Sequence, residues 1–119
     1  MGYTNYWYQT RSFTNEEWNK ICVYCETLLK NNDDKAYGCP ITDFDANGDE
    51  YPLLVIDGSP NCETFKLRQF PTDEFNFCKT QQLPYDQVVW GLLKYIKEEV
   101  VGLNKSEFRI VNDNGEEIV

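Results

Sequence analysis

Lys66 and Arg68 stand two residues apart in ETFKLRQF (63–70), which puts both cations on one face of a strand. Lys79 and Thr80 end the next aromatic run, FNFCKT (75–80). Tyr85 and Asp86 follow at the start of a helix, whose N-terminus itself attracts anions. Asn5, Trp7, Gln9 and Arg11 share one face of the N-terminal strand. Aromatic, amide and cationic groups are the ones that stack a base and hold a phosphate. In that reading Trp7 or Tyr3 stacks the base, Arg11, Arg68 and Lys79 meet phosphates, and Asn5, Thr80 and Asp86 read polar edges. The alternative is a solvated sheet face carrying ordinary surface cations.

Two other spacings imitate metal or redox sites. In DFDANGD (43–49), Asp43, Asp45 and Asn47 fall at positions 1, 3 and 5 of a calcium loop, with Gly48 at position 6. Leu54 occupies the twelfth position, where a bidentate Glu belongs, and Pro52 interrupts the second half. A turn between strands explains Asn47-Gly48 equally well, so the expectation is a turn and no metal. CVYC (22–25) has redox or zinc spacing but falls two turns inside a helix, on its apolar face. A redox pair sits at a helix N-terminus, where the dipole lowers the thiol pKa, and zinc requires two more ligands. Core packing is the expected role.

The chain has no histidine. That removes Ser-His-Asp and Cys-His nucleophiles and the usual general base near neutral pH. Ser12, Ser59 and Ser106 are the only serines, and none sits in a G-x-S-x-G elbow. No G-x-x-x-x-G-K-[ST] phosphate loop is present, and no cofactor is implied. The enzymatic alternative left is a metal-dependent hydrolase using Glu63, Asp86 and the loop aspartates.

The elements that must position these groups read as follows. Residues 3–13 form a strand rich in Tyr, Trp and Thr. In FTNEEW, Thr14 caps a helix with Glu17 at N3, and Phe13 and Trp18 form a hydrophobic staple. That helix buries Trp18, Ile21, Cys22, Cys25, Leu28 and Leu29 and stops near NNDD (31–34). Residues 35–50 are turn-rich, YPLLVIDG (51–58) is a buried strand, and GSPN (58–61) turns the chain. Phe65 and Leu67 point one way from the next strand, and Thr64, Lys66 and Arg68 the other. Pro84 opens a second helix at N1, its core face runs from Tyr85 to Val100, and Gly102 ends it. FRIV (108–111) is a last strand before an NDNG turn. This order predicts an α+β domain spanning 1–119, with two helices on one face of a mainly antiparallel sheet, ferredoxin-like or related. On the first strand, Tyr6 and Tyr8 are expected to pack on the helices, leaving Trp7 and Tyr3 for a ligand or a subunit seam.

With 11 basic and 20 acidic residues the net charge is −9, a field that repels nucleic-acid polymers and anionic lipid. A hydrophobic content of 41% excludes a disordered chain. No apolar run is long enough to span a membrane. Five cysteines with no leader before them point to a reduced cytosol and free thiols.

GYTNYW (2–7), ETF (63–65), FCKT (77–80) and PYDQVV (84–89) together resemble a family of small uncharacterised proteins of phages, large viruses and some bacteria. That family opens M-G-Y-T-x-Y-W and carries E-T-F and F-C-K-T-x-x-x-P-Y-D at similar spacing. It often has histidine where this chain has Asn5 and Cys62, so a reaction using those histidines would be lost here. The C-terminal NDNGEEIV also departs from its pattern. The resemblance implies a viral or mobile-element origin and action in the host cytoplasm, in a class rich in inhibitors of host defence. The leading expectation is a non-enzymatic, homo-oligomeric sponge for a nucleotide-derived immune signal of cyclic dinucleotide or ADP-ribose type. The runner-up is an acidic inhibitor that occludes a host defence protein.

Overall fold

Thr14 sets where the first helix begins. Its hydroxyl accepts the Glu17 N–H at 3.1 Å, while the Glu17 carboxylate accepts the Thr14 N–H at 2.9 Å, closing the capping box. The Phe13 and Trp18 rings stack with centroids 6.3 Å apart, which is the staple. The structure is a computed structural model that describes residues 3–58, 63–80 and 84–119. Ser59, Cys62 and most of the GSPN turn lie outside the described residues.

Strand β1 (Thr4–Gln9) leads into helix α1 (Asn15–Lys30). A hairpin of β2 (Ala36–Phe44) and β3 (Glu50–Gly58) follows, then β4 (Phe65–Arg68) and β5 (Phe75–Lys79). Helix α2 (Pro84–Tyr95) continues as a π-helical stretch, Ile96–Val101, and the chain ends in β6 (Phe108–Asn112) and β7 (Glu117–Ile118). The domain is α+β, and every pairing among the described residues is antiparallel. The strands divide into two sheets, ordered β5-β1-β6-β7 and β2-β3-β4, where a single ferredoxin-type sheet was the nearest familiar topology. Phe65, Ile56 and Leu54 meet Leu92, Leu93 and Ile96 in one core beneath the helices.

Strand β2 was legible only as turn-rich sequence, because Gly38 and Pro40 lie inside it. Both have a use there. A Cβ at Gly38 would meet the Val55 carbonyl oxygen at 2.1 Å, so the close approach of β3 demands glycine. Asp45 N–H bonds to the Asp49 carbonyl at 3.0 Å. Counting back in steps of two along the register, Pro40 lies at a position whose nitrogen faces away from β3. An edge strand tolerates proline at such a position, and the missing donor also blunts the edge.

Arg11 ties the exit of β1 to the start of α1. Its guanidinium makes two bonds to the Glu17 carboxylate, at 2.8 and 3.0 Å. That bond, with the Thr14 N–H helping, holds the Glu17 carboxyl down at about 2, against an ordinary 4.5. A depressed carboxylate stabilises the fold above its unfolded pKa and loses that contribution as pH falls toward the folded value. Stability should therefore drop between about pH 4.5 and 2, and drop less steeply in Glu17→Gln. Thermal melts across that window read the difference, and identical acid limbs in the two proteins would exclude the pair from acid unfolding.

On β1 the two faces are exchanged relative to expectation. Asn5, Trp7 and Gln9 do share one face, but it is the buried one, and the Trp7 ring lies 5.0 Å from Phe65. Tyr6 and Tyr8 point outward and lean on Phe75, at 5.7 and 5.3 Å. The partner strands explain the choice. Phe77 and Phe75 stand directly across from Tyr6 and Tyr8, so the outer face gathers four aromatics of its own.

Candidate functional site

The start of β1, the approach to β4, the end of β5 and the first turn of α2 meet at one place. Thr80 N–H donates to the Tyr3 carbonyl at 2.9 Å. The Asn5 amide and the Thr80 hydroxyl both donate to Asp86 Oδ1, each at 2.6 Å. The Tyr85 hydroxyl accepts the Phe65 N–H at 2.9 Å and donates to the Ile56 carbonyl at 2.8 Å. The Cys78 thiol lies 3.4 Å from the Glu63 carbonyl. YTNYW (3–7), ETF and the FCKT and PYD segments, from three separate regions of the chain, are thus neighbours in space.

This network is inward. Asn5 and Thr80 are fully buried, Tyr3 is nearly so, and Asp86 is half-buried. Burial first, and Asp86 second, push the Tyr3 phenol above its usual range. Asp86 sits in the first turn of α2, where the helix dipole favours a carboxylate. Asn5 Oδ1 is a buried acceptor with no partner among the described residues. Four of the eight predicted site residues, Tyr3, Asn5, Thr80 and Asp86, are therefore brought together.

Of the other four, Lys79 adjoins this cluster through its main chain, and Trp7, Arg11 and Arg68 do not join its hydrogen bonds. Trp7 is 2% exposed, which corrects its expected role as an open stacking wall, and Tyr3 at 6% is corrected likewise. Arg11 is committed to Glu17. The Arg68 guanidinium lies 3.7 Å over the Tyr51 ring and bonds the Phe70 carbonyl at 3.0 Å. Lys79 sits beside the opposite end of β1, where it pairs with Thr4. The expected phosphate trio does not converge: the guanidinium groups are taken up by Glu17 and by Tyr51 and Phe70, although one Gln9 amide bonds both arginine carbonyls, and Lys79 lies at the other end of β1.

Sequence reasoning missed a cleft of about 530 Å³ between β4 and β5. Glu63, Thr64 and Lys66 form one wall, Phe75, Asn76 and Phe77 the other, with Asp73 at the rim and Trp7 at the base. Phe75 and Phe77 are 46% and 49% exposed. They continue outward into Tyr6 and Tyr8, and the Arg109 guanidinium covers the Tyr8 ring at 4.2 Å. The F-N-F alternation was the available signal, since it places two phenylalanines on one face of a short strand.

The two imitating motifs resolve locally. Asp45 Oδ1 accepts the N–H groups of Asn47 and Asp49 at 2.9 and 3.0 Å, and Gly48 has φ +83°, so DANGD is a hairpin turn. Cys25 is buried in the core, where desolvation pushes its thiol up to about 12 and raises Cys22 as well. Both stay protonated near neutral pH, as core packing requires. They line a groove of about 640 Å³ between α1 and β2, opposite Cys39. Among the described residues no group of three or more Cys, Asp or Glu is placed to hold a metal ion, and no helix is long and apolar enough to cross a membrane. No family model, curated protein or solved structure matches the chain.

Proposed function

We propose that this protein is a non-enzymatic binding protein whose ligand is another protein, held at the aromatic face of β1 and β5 and the cleft beside it. One observation carries the reading: Phe75 and Phe77 stand half-exposed beside Tyr6 and Tyr8 on a chain of net charge −9. Contiguous exposed aromatics mark interaction surfaces, and Tyr, Phe and Arg are the residues such surfaces favour. The viral resemblance supplies the biological class, an inhibitor that occludes a host defence protein in the host cytoplasm. The nucleotide sponge is the second reading. It is supported by Lys66 standing beside Phe75 and Phe77 in a cleft of small-ligand size.

The two readings separate in a paired experiment. Equimolar cyclic di-AMP or ADP-ribose is incubated with the protein and ultrafiltered, and the expected result is unretained, unaltered nucleotide. In parallel, tagged protein captures partners from host lysate. The double variant Phe75→Ser, Phe77→Ser should release the partner while the melting temperature holds. Stoichiometric retention of nucleotide, returned intact on heating, would replace the protein-binding reading with the sponge. Altered nucleotide in amounts exceeding the protein would reveal turnover and overturn both.

A further inference from the structure

We infer that the cleft between β4 and β5 takes a short extended segment of a basic peptide, which adds its main chain to the edges of both strands. The inference rests on the protein-binding reading above and specifies what part of the partner enters. Both strands are outermost in their sheets, so each has one edge without a strand partner among the described residues.

The hydrogen bonds show which residues face that edge. Gln9 N–H bonds the Glu74 carbonyl and Thr80 N–H bonds the Tyr3 carbonyl, so residues 74, 76, 78 and 80 face β1. Phe75, Phe77 and Lys79 then present their main-chain groups the other way, into the cleft. On β4, Gln69 N–H bonds the Pro52 carbonyl, and Phe65 N–H faces Ile56 through the Tyr85 hydroxyl. Thr64, Lys66 and Arg68 therefore turn their main-chain groups away from β3.

The two ends of the cleft are already closed. Lys79 N–H bonds the Glu63 carboxylate and Glu63 N–H bonds the Lys79 carbonyl, both at 3.3 Å. At the other end the Arg68 carbonyl accepts the Gln9 side chain at 3.1 Å. Between them, the edge groups of Thr64, Lys66, Phe75 and Phe77 have no partner among the described residues. Donors and acceptors alternating on two facing edges are satisfied together by an extended backbone, the recognition mode of strand addition. Edge groups recur every second residue, so the match is to a segment of about three residues.

Charge chooses the side chains. Glu63 and Asp73 face the cleft against Lys66, within a chain of net charge −9, which favours a peptide bearing Lys or Arg. Phe75 and Phe77 add an apolar wall for one alternate side chain.

The probe is acetyl-Lys-Val-Arg-Val-Lys-Val-amide, compared with the same peptide N-methylated at alternate residues and with a Glu/Asp version, by isothermal titration and amide-resonance mapping. The unmodified basic peptide should bind and shift Thr64, Lys66, Phe75 and Phe77. N-methylation should weaken it by about tenfold or more as main-chain bonds are lost. Lys66→Pro removes an outward N–H that β3 does not use, so the variant should fold and lose binding, while Lys66→Ala should keep most of it. Equal binding of the N-methylated peptide, equal loss in Lys66→Ala and Lys66→Pro, a preference for the acidic peptide, or no binding would each overturn the inference. So would a dimer in sedimentation whose assembly Lys66→Pro abolishes, since the cleft would then belong to a second copy. If the peptide fails while Phe75→Ser, Phe77→Ser still releases the host partner, strand addition falls and the protein-binding reading stands.

Discussion

Trp7→Ala is expected to destabilise the fold by about 3–5 kcal/mol, the range for deleting a large buried aromatic. The indole is 2% exposed, rests on Phe65 and forms the base of the cleft. Removing it opens a cavity where both sheets meet the helices. Tyr6→Ala, one residue away on the outer face, should cost far less, because its ring stacks on Phe75 and is half exposed to water. Urea denaturation of the two variants side by side measures the difference. If Trp7→Ala left the midpoint unmoved and abolished ligand binding, the indole would be a ligand wall after all and the assignment of faces on β1 would be wrong.

Tyr85→Phe should cost about 2–4 kcal/mol despite removing a single oxygen. That oxygen stands between Phe65 N–H and the Ile56 carbonyl and so completes the pairing of β3 with β4, with the Glu63 carbonyl 3.2 Å away. Losing it leaves buried main-chain groups unpaired, at about 1–3 kcal/mol each. The ring itself is also fixed: a Cβ on Gly58 would come within 2.4 Å of it, so it has no room to shift and let the strands close directly. Hydrogen exchange at Phe65 gives the local reading and the melting temperature the global one. A change below about 0.5 kcal/mol, typical of a surface site, would mean that water replaces the hydroxyl.

Local chemistry determined what lies within a few residues. Phe13, Thr14, Glu17 and Trp18 specify the start of α1 because every group in a capping box and staple falls within one turn. Pro84 and Gly102 bound the second helical segment for similar reasons, and the alternation of β4 follows from the period of a strand. The absence of histidine is a property of composition, and it narrows the chemistry before any fold exists.

Tertiary structure decided the rest. Alternation on β1 says which residues travel together but not which face is inward, and both faces carried aromatics. Phe75 and Phe77 across from Tyr8 and Tyr6 settled it. β2 carries Gly38 and Pro40, which argue against a strand until β3 is laid beside it. Asn5, Thr80 and Asp86 did come together: Thr80 and Asp86 are near in sequence, and the pairing of β1 with β5 brings Asn5 to them. Arg11, Arg68 and Lys79 did not converge: Arg11 took the Glu17 carboxylate and Arg68 the Tyr51 ring, while the register of β5 left Lys79 at the other end of β1, and only the folded chain says so. The cleft between β4 and β5 belongs to neither strand alone. It exists because two sheets share one core while two of their edges stay unjoined.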